Sequence, residues 1–343
     1  MSGERYCFLV DWLDPHAQIV WKYQLIFYTV DHSLEMYDIK NRRVFLKRCH
    51  YPSVKLEHLY VGSIITVYSR QLSIVEYADE FTKNTMEQQR GKTIAVVQPS
   101  GFKNLGKIVH AITRSGFLID KIKMVNVGGG NGYPGGPLPA GKVVGMELVA
   151  PDAVAKFKDL LGSLTSHFGN CVTGSDGQNV DKEFNFFFSP SAMNGKCYEA
   201  KGKSTLCLIK PHAVLAGHAG MIIDLIGQNY NITALEMFVL PRPNAMEFYE
   251  VYKGVVAEYS SMVEELISGS VIAIEVSDPD GQCPVEPFRE LCGPPDPEIA
   301  RVLRPDSLRA KFGIDKVKSA VHCTDLEEDG PLEVTYFFDL LQS

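Results

Sequence analysis

The sequence lacks the features that mark membrane, secreted and nucleic-acid-binding proteins. No apolar run approaches the ~20 residues that a helix needs to cross a bilayer, and the N-terminus has neither the basic region nor the apolar core of a signal peptide. The formal net charge of -7 over 343 residues gives the chain as a whole no attraction to nucleic acid or anionic lipid. We therefore expect no nucleic-acid or membrane partner, and any phosphate site must be local.

Closely spaced cysteine pairs are also missing. The chain has eight cysteines, and no C-x-x-C occurs among them. This scatter favours reduced thiols in the cytoplasm over a disulfide framework or a zinc site. We expect no metal site built from protein side chains.

Two short motifs lack the context that their chemistry requires. Residues 130–135 match G-x-G-x-x-G, but Pro134, Pro137 and Pro139 exclude the helix whose N-terminus would meet a pyrophosphate. Gly202-Lys203-Ser204 resembles the end of a P-loop, but Cys197 stands where glycine is required. Neither segment is predicted to bind nucleotide, and the first is interpreted as a connecting loop.

The first 91 residues predict a small, mostly β domain without catalytic groups. Short β-branched or aromatic runs alternate with turn clusters such as Asp14-Pro15-His16. The predicted strands cover 5–12, 20–30, 34–37, 44–47, 64–68 and 72–77.

From residue 93 a strand, a proline, a helix and a second strand follow one another, and the same order recurs from residue 205. The first strands end at Pro99 and Pro211, and helical spacing of apolar residues follows each of them. Such recurrence indicates two copies of one fold. We assign residues 92–190 to the first copy, 191–203 to a linker and 204–343 to the second copy.

The two copies differ in length. From Lys210 to His322 the second copy advances 112 positions, whereas from Gln98 to Thr173 the first advances 75. A difference of 37 positions predicts that whole elements are missing from the first copy.

Two motifs mark the start and the end of the second copy: Ile209-Lys210-Pro211, and residues 319–325 around His322. Further marks lie between them, at Tyr249, Ser268-Gly269, Arg289, Gly293, Arg309 and Phe312. Over residues 204–341 this set, in this order, resembles the nucleoside diphosphate kinase family, whose two motifs are I-K-P-D and N-x-x-H-G-S-D. The resemblance implies an α+β fold, an α/β sandwich in which tandem ferredoxin-like kinase folds follow the small β domain.

The resemblance also implies phosphohistidine chemistry. His322 would be the nucleophile, because neutral imidazole, with a pKa of ~6.5, can attack a γ-phosphoryl group. Glu333 would orient the ring, and Lys210 would supply a catalytic cation. The predicted nucleotide-binding residues are Lys210, Tyr249, Tyr259, Arg289, Arg309, Ser319 and Thr324. ATP or another NTP would be the substrate, with Mg²⁺ bound through its phosphates.

Departures from the family pattern predict weaker nucleotide binding. Ser319 replaces the family's asparagine, Pro295 replaces a threonine, and Cys323 and Thr324 replace Gly and Ser. Losing two or three neutral hydrogen bonds at ~0.5–1.5 kcal/mol each would reduce affinity by one to two orders of magnitude.

The first copy is predicted to be inactive. Gln98 replaces the lysine and Thr173 the histidine. The missing positions would have carried the tyrosine-bearing helix pair and the arginine-bearing loop.

The whole arrangement resembles the homologue-seven family of nucleoside diphosphate kinases from cilia and flagella, whose front module is a DM10 domain. Asp11-Trp12-Leu13-Asp14-Pro15 and residues 45–48 and 69–72 carry that part of the resemblance. It implies a ciliary axoneme, centrosome or basal body as location, and tubulin, doublet microtubules and axonemal proteins as partners. We expect residual NTP:NDP phosphotransfer in the second copy, in a monomer whose copies pair with each other. The alternative is a purely structural, doublet-stabilising protein without turnover.

Overall fold

The computed structural model describes residues 4–14, 17, 19–89, 91–128, 132–189, 197–198 and 203–342. The chain divides into two compact units. One consists of residues up to 89 together with Ile267–Gly269, and the other comprises the remainder. No helix in the described ranges is long and apolar enough to cross a membrane.

The first unit is an antiparallel sheet with one α-helix packed against it. Its strands are β1 (Arg5–Asp14), β2 (Ile19–Tyr28), β3 (Ser33–Asp38), β4 (Arg43–His50), β5 (Ile64–Val67) and β6 (Arg70–Tyr77), in the order β4-β3-β2-β1-β6-β5. Tyr23, Leu25 and Phe27 alternate along β2 and point into the core, as the period of two requires. Each strand predicted from the sequence has a counterpart in this sheet.

One element of this unit was missed by the sequence analysis, which predicted no helix before residue 91. Helix α1 (Glu80–Gln89) follows the last strand and packs against β1 and β6. Its apolar content is too low to predict a helix from periodicity, but Asp79 accepts a hydrogen bond from the Thr82 backbone N–H at 2.7 Å, which is a helix start signal. The buried side chains of Thr82 and Met86 then anchor the helix on the sheet.

The second unit has one continuous sheet, which in the described residues runs in the order β10-β7-β9-β8-β12-β13-β11-β14. The first copy provides β7 (Gly91–Val97), β8 (Leu118–Val127), β9 (Gly141–Ala150) and β10 (Val172–Gly174), and the second provides β11 (Ser204–Ile209), β12 (Asn231–Val239), β13 (Ser270–Ser277) and β14 (Val321–Cys323). Within each copy the strand order is the ferredoxin-like 4-1-3-2. The second copy has this order reversed across the sheet, so that the second strand of each copy lies at the centre. The α+β fold class predicted from the sequence is confirmed.

Helices cover this sheet. The first copy has α2 (Leu105–Arg114), α3 (Ala153–Phe168) and α4 (Val180–Phe188). The second has α5 (Pro211–Leu215), α6 (Ala219–Gly227), α7 (Arg242–Phe248), α8 (Tyr259–Leu266), α9 (Val285–Cys292), α10 (Pro297–Leu303), α11 (Leu308–Phe312) and α12 (Gly330–Phe338). Short 3-10 helices at 56–58, 99–104, 250–252, 327–329 and 340–342 complete the structure.

The two copies meet at the centre of the sheet. Strand β8 pairs with β12, and Lys123 faces Glu236 across the junction in an ion pair of 2.9 Å. Beside them α2 crosses α6 at two glycines: a Cβ on Gly106 would lie 2.1 Å from the Asp224 nitrogen, and one on Gly220 2.4 Å from that of His110. Both backbones approach too closely for any side chain.

The structure shows which elements the first copy lacks. Between β12 and β13 the second copy has α7 and α8, whereas the described part of the loop between β8 and β9 of the first copy contains no helix, and Tyr133 and Leu138 of that loop are buried. Between the third and fourth strands α3 alone takes the place of α9, α10 and α11. In the described residues of the first copy, the two segments that the sequence analysis expected to be missing are therefore absent. Residues 130 and 131 of its glycine-rich motif, and most of the predicted linker, lie outside the described residues.

Candidate active site

His322 lies on β14, a three-residue strand that pairs antiparallel with β11 at the sheet edge. Its ladder partner is Leu208, and the ring is almost completely buried. The chain enters this strand through Ala320, whose φ of 69° is in the left-handed region that non-glycine residues rarely adopt. This strained turn aims the ring into the site.

Glu333 holds the ring from α12. Its carboxylate oxygens lie 3.2 and 3.3 Å from His322 Nε2. A carboxylate accepts hydrogen bonds, so Nε2 is the nitrogen that carries the proton and Nδ1 is left with a lone pair. Thr324 Oγ1 donates to Glu333 Oε2 at 2.8 Å and fixes the carboxylate in turn.

Aromatic rings enclose the histidine. Phe248 meets it edge to face, with ring centroids 5.1 Å apart, and Tyr249 lies 6.0 Å away. Both come from the end of α7, one of the elements that the first copy lacks. Tyr249 is buried, and this burial raises the pKa of its hydroxyl above the usual range, so it remains a neutral donor. Phe248 was not singled out by the sequence analysis.

Lys210 reaches the site from the end of β11. Its side chain is buried, and Nζ donates to the Val317 carbonyl and to Ser319 Oγ, each at 2.9 Å. Burial, with a smaller effect of the nearby Arg309 charge, lowers the pKa of Lys210 to about 8. Ser319 therefore binds the lysine in this structure.

Arg309 projects from α11 and is also buried. Its guanidinium donates to the carbonyls of Gly293 at 2.7 Å and Val321 at 3.2 Å. A third contact joins Nη2 to Cys323 Sγ at 3.5 Å. The arginine is thus held against β14 through Val321 and Cys323, the two neighbours of His322 in the chain.

Arg289 is half-exposed and contacts Asp325. Its Nη1 donates to the Asp325 carbonyl at 2.6 Å, and its Nη2 lies 3.4 Å from the Asp325 carboxylate. Tyr252 donates to that carboxylate at 2.5 Å. Arg289, Arg309 and Pro295 all line a cleft of about 280 Å³. This cleft can admit an anion to both guanidinium groups.

Tyr259 is the predicted site residue that the structure does not connect to the rest. It begins α8 and lines a different cleft, of about 340 Å³, with Met246 and Lys253. Its hydroxyl lies 3.4 Å from the Met246 carbonyl oxygen. No contact in the described residues joins it to His322 or the two arginines.

A second histidine, which the sequence analysis did not discuss, supports the strained turn. His212 Nε2 accepts the backbone N–H of Ala320 at 3.3 Å, and its Nδ1 lies 2.7 Å from Glu265. His212 stands where the family motif has aspartate. The histidine at the fourth position of the I-K-P-D motif was the sequence signal that could have identified this residue.

In the first copy a threonine occupies the position that corresponds to His322. Thr173 lies on β10, where His322 lies on β14, and Gln98 follows β7. Glu183 on α4 is fully buried, and burial raises its pKa. The loop places Tyr133 near that carboxylate, whose charge adds to the effect of burial in raising the pKa of the tyrosine.

Two family models match the chain. One is described as the nucleoside diphosphate kinase 7 N-terminal PH domain and matches residues 1–88. The other, nucleoside diphosphate kinase, matches residues 203–342. The second match covers the part of the chain that carries His322.

Relatives were also found for the full length of the chain. Nucleoside diphosphate kinase homolog 7 of Rattus norvegicus and of Mus musculus are each 40% identical over 377 residues, covering 100% of this chain and 95% of theirs. The aligned length exceeds the 343 residues of this chain, so the alignment contains gaps in this chain. Nucleoside diphosphate kinase of Aquifex aeolicus is 37% identical over 139 residues, covering 40% of this chain and 95% of its own. The chain therefore belongs to the nucleoside diphosphate kinase homolog 7 family.

Proposed function

We propose that this chain is an axonemal, microtubule-associated protein whose second copy retains NTP:NDP phosphotransfer through a phosphohistidine on His322. One observation carries the catalytic part of the proposal: Glu333 engages Nε2, which leaves Nδ1 as the nucleophile. The buried cations Lys210 and Arg309 lie beside β14, the strand that carries His322, and can offset phosphate charge.

The transfer is a pair of displacements. His322 Nδ1 attacks the γ-phosphorus of an NTP; the N–P bond forms, the bond to the β-phosphate oxygen breaks, and the NDP leaves. A second NDP then attacks the phosphohistidine, and the N–P bond breaks as the new NTP forms. Glu333 stabilises the imidazolium character of the ring throughout, because its carboxylate faces Nε2.

Magnesium would enter as part of the substrate, coordinated by the phosphates of the nucleotide. Arg289 and Arg309 line one cleft and can donate to phosphate oxygens. In the described ranges no three His, Cys, Asp or Glu side chains are grouped so that they could hold a metal ion.

The direct test is labelling of the full-length protein with γ-labelled ATP and Mg²⁺. We expect an acid-labile, base-stable phosphoprotein, and we expect His322→Ala to abolish the label. His167→Ala, a change at an exposed histidine on α3, should leave it intact.

One further variant sharpens this experiment. Thr173→His should add no label to His322→Ala, because the first copy lacks the lysine and the arginine-bearing elements. Label that persists in His322→Ala would refute the assignment of the nucleophile. A wild-type protein that never labels but binds microtubules would support the purely structural alternative.

The microtubule part of the proposal rests on the first unit. Strand β4 forms an edge of its sheet, and Arg43, Lys47 and Arg48 are exposed on it, with Arg42 just before it. Arg48 Nη2 lies 3.0 Å from the Asp31 carboxylate, and the Arg48 guanidinium lies over the Tyr28 ring. We therefore expect Arg43 and Lys47 to contact an external partner. Acidic tubulin surfaces have the charge that this edge would attract.

The test is co-sedimentation of full-length protein with microtubules. Arg43→Glu combined with Lys47→Glu should weaken binding by roughly tenfold or more and flatten its salt dependence. Lys83→Glu, at an exposed site on α1 of the same unit, is the matched control. Unchanged binding by the double variant would exclude β4 as the contact.

The same variants test localisation. In ciliated cells the tagged His322→Ala protein should still reach the axoneme, because its first unit is untouched. The Arg43→Glu, Lys47→Glu protein should remain diffuse. The reverse pattern would make the second copy the targeting element.

A further inference from the structure

The chain enters β14 through a tight turn centred on Ala320. Across this turn the Val321 N–H donates to the Ser319 carbonyl at 2.9 Å, and the φ of Ala320 is 69°. A three-residue turn of this hand is strained for a residue that carries a side chain, so the surrounding structure must hold it. His322 lies two positions beyond Ala320, and its orientation therefore depends on how firmly this turn is held.

The segment that follows β11 holds both peptide groups that flank Ala320. The Lys210 N–H donates to the Ala320 carbonyl at 2.9 Å, and the Ala320 N–H donates to Nε2 of His212 at 3.3 Å. Rotation about φ or ψ of Ala320 turns one of these two peptide groups relative to the other. The two hydrogen bonds therefore oppose relaxation out of the left-handed region, and the second of them depends on the side chain at position 212.

Glu265 fixes the His212 ring from α8. Its Oε1 lies 2.7 Å from Nδ1 of the ring and accepts the backbone N–H of His212 at 3.1 Å. Because a carboxylate accepts hydrogen bonds, Nδ1 carries the proton and Nε2 presents its lone pair to Ala320. The two side chains are only 9% and 5% exposed, so water competes little for these bonds. One carboxylate thus sets both the orientation and the tautomer of the ring.

We propose that His212, oriented by Glu265, is a positioning residue for phosphotransfer: it holds the turn at Ala320 in the conformation that directs Nδ1 of His322 toward the γ-phosphorus. The inference rests on the proposed phosphotransfer. His212 forms no bond to phosphorus and acts through the backbone that leads to β14. Its loss should therefore slow the attack on phosphorus much more than it weakens nucleotide binding, because a small error in the approach of a nucleophile has a large effect on rate.

The experiment compares the rate of His322 labelling at saturating γ-labelled ATP and Mg²⁺ with the Kd for ADP, both measured on the full-length protein. In His212→Leu, which lacks the acceptor, we expect labelling to slow by about tenfold or more. The Kd for ADP should change by less than about threefold, because Arg289 and Arg309 are left in place. Leu215→Ala, at an exposed position of the same helix α5, is the matched control and should label at the wild-type rate.

A second substitution separates positioning from a general loss of stability. Glycine adopts the left-handed region without a steric cost, so Ala320→Gly should make the turn less dependent on His212. We expect the His212→Leu, Ala320→Gly protein to label within about threefold of Ala320→Gly alone, a coupling that two independent sites would not show. A disordered α5 would not be rescued by a glycine in another segment. His212→Gln, whose side-chain oxygen can replace Nε2 as acceptor, should lose less of the rate than His212→Leu.

The outcomes separate the positioning role from the function on which it rests. Labelling of His212→Leu at the wild-type rate would overturn the positioning role and leave phosphotransfer intact. Equal slowing of His212→Leu with and without Ala320→Gly would also overturn it, because the loss would then not act through the turn. A wild-type protein that does not label refutes the proposed phosphotransfer, and the positioning role with it.

Discussion

Lys210 shows how burial changes the chemistry of a single residue. The residue is 4% exposed, and its ammonium group donates hydrogen bonds to a carbonyl and a hydroxyl, while the charges of Glu265 and Asp315 raise its pKa by less than burial lowers it. Desolvation therefore favours the neutral amine and lowers the pKa to about 8 from an ordinary value of 10.5. The cation on which phosphate binding would depend is thus charged at neutral pH but not in alkaline solution.

The pH dependence of nucleotide binding follows from this shift. Below pH 8 Lys210 is protonated and attracts phosphate; above it the charge is lost, so the affinity for ADP should fall by up to tenfold per pH unit. We expect a plot of log Kd against pH, measured by titration calorimetry from pH 7 to 9.5, to bend near pH 8. Cys323, with a pKa of about 6, has finished titrating before this range.

Lys210→Arg is the matched control, because arginine keeps its charge throughout this range. The bend should disappear in the variant even if its affinity at pH 7 is lower. An identical bend in the arginine variant would assign the titration to another group.

At the scale of elements, the crossing of α2 and α6 holds the two copies together. Each helix contributes a glycine at the point where the other helix's backbone passes, Gly106 facing Asp224 and Gly220 facing His110. Main-chain atoms, unlike a flexible side chain, cannot move aside locally. The crossing therefore depends on both glycines.

Replacing Gly106 with alanine should be destabilising, although alanine normally favours a helix. The new Cβ would lie 2.1 Å from a backbone nitrogen, so the helices must separate, at a cost of ~1–3 kcal/mol or more. Thermal unfolding followed by circular dichroism measures this loss. Gly162→Ala on α3 meets no atom within 4 Å and should be neutral or stabilising by ~0.5–1 kcal/mol. Equal effects of both changes would contradict the close-crossing explanation.

At the scale of the whole molecule, the pairing of the two copies bears on assembly. Strands β8 and β12 are joined within one chain, so the edges that two separate copies would use are already occupied. The covalent connection also gives the copies a high effective concentration for each other.

We therefore expect a monomer in solution. Light scattering should give a mass near 38.1 kDa that does not change with protein concentration. A mass of several chains, persisting on dilution, would show that another surface drives assembly.

How well the sequence predicts the structure differs from one element to the next. The six strands of the first unit were predictable because β-branched and aromatic runs alternate between turn residues. Helix α1 was not, because only Phe81 and Met86 are apolar in it and its position is determined by packing on β1 and β6. Both copies were recognisable because the first strand of each is followed by a proline and then by a helix.

The sequence by itself determined the repeat, the fold class, the family resemblance and the loss of histidine and lysine in the first copy, because these depend on residue type and spacing. Only the tertiary structure decided that Ser319 binds Lys210, that Tyr259 faces a separate cleft, and that His212 supports the turn before His322. These contacts join residues far apart in the chain, and no local pattern encodes such distances, because packing of α9, α11 and α12 around β14 sets them.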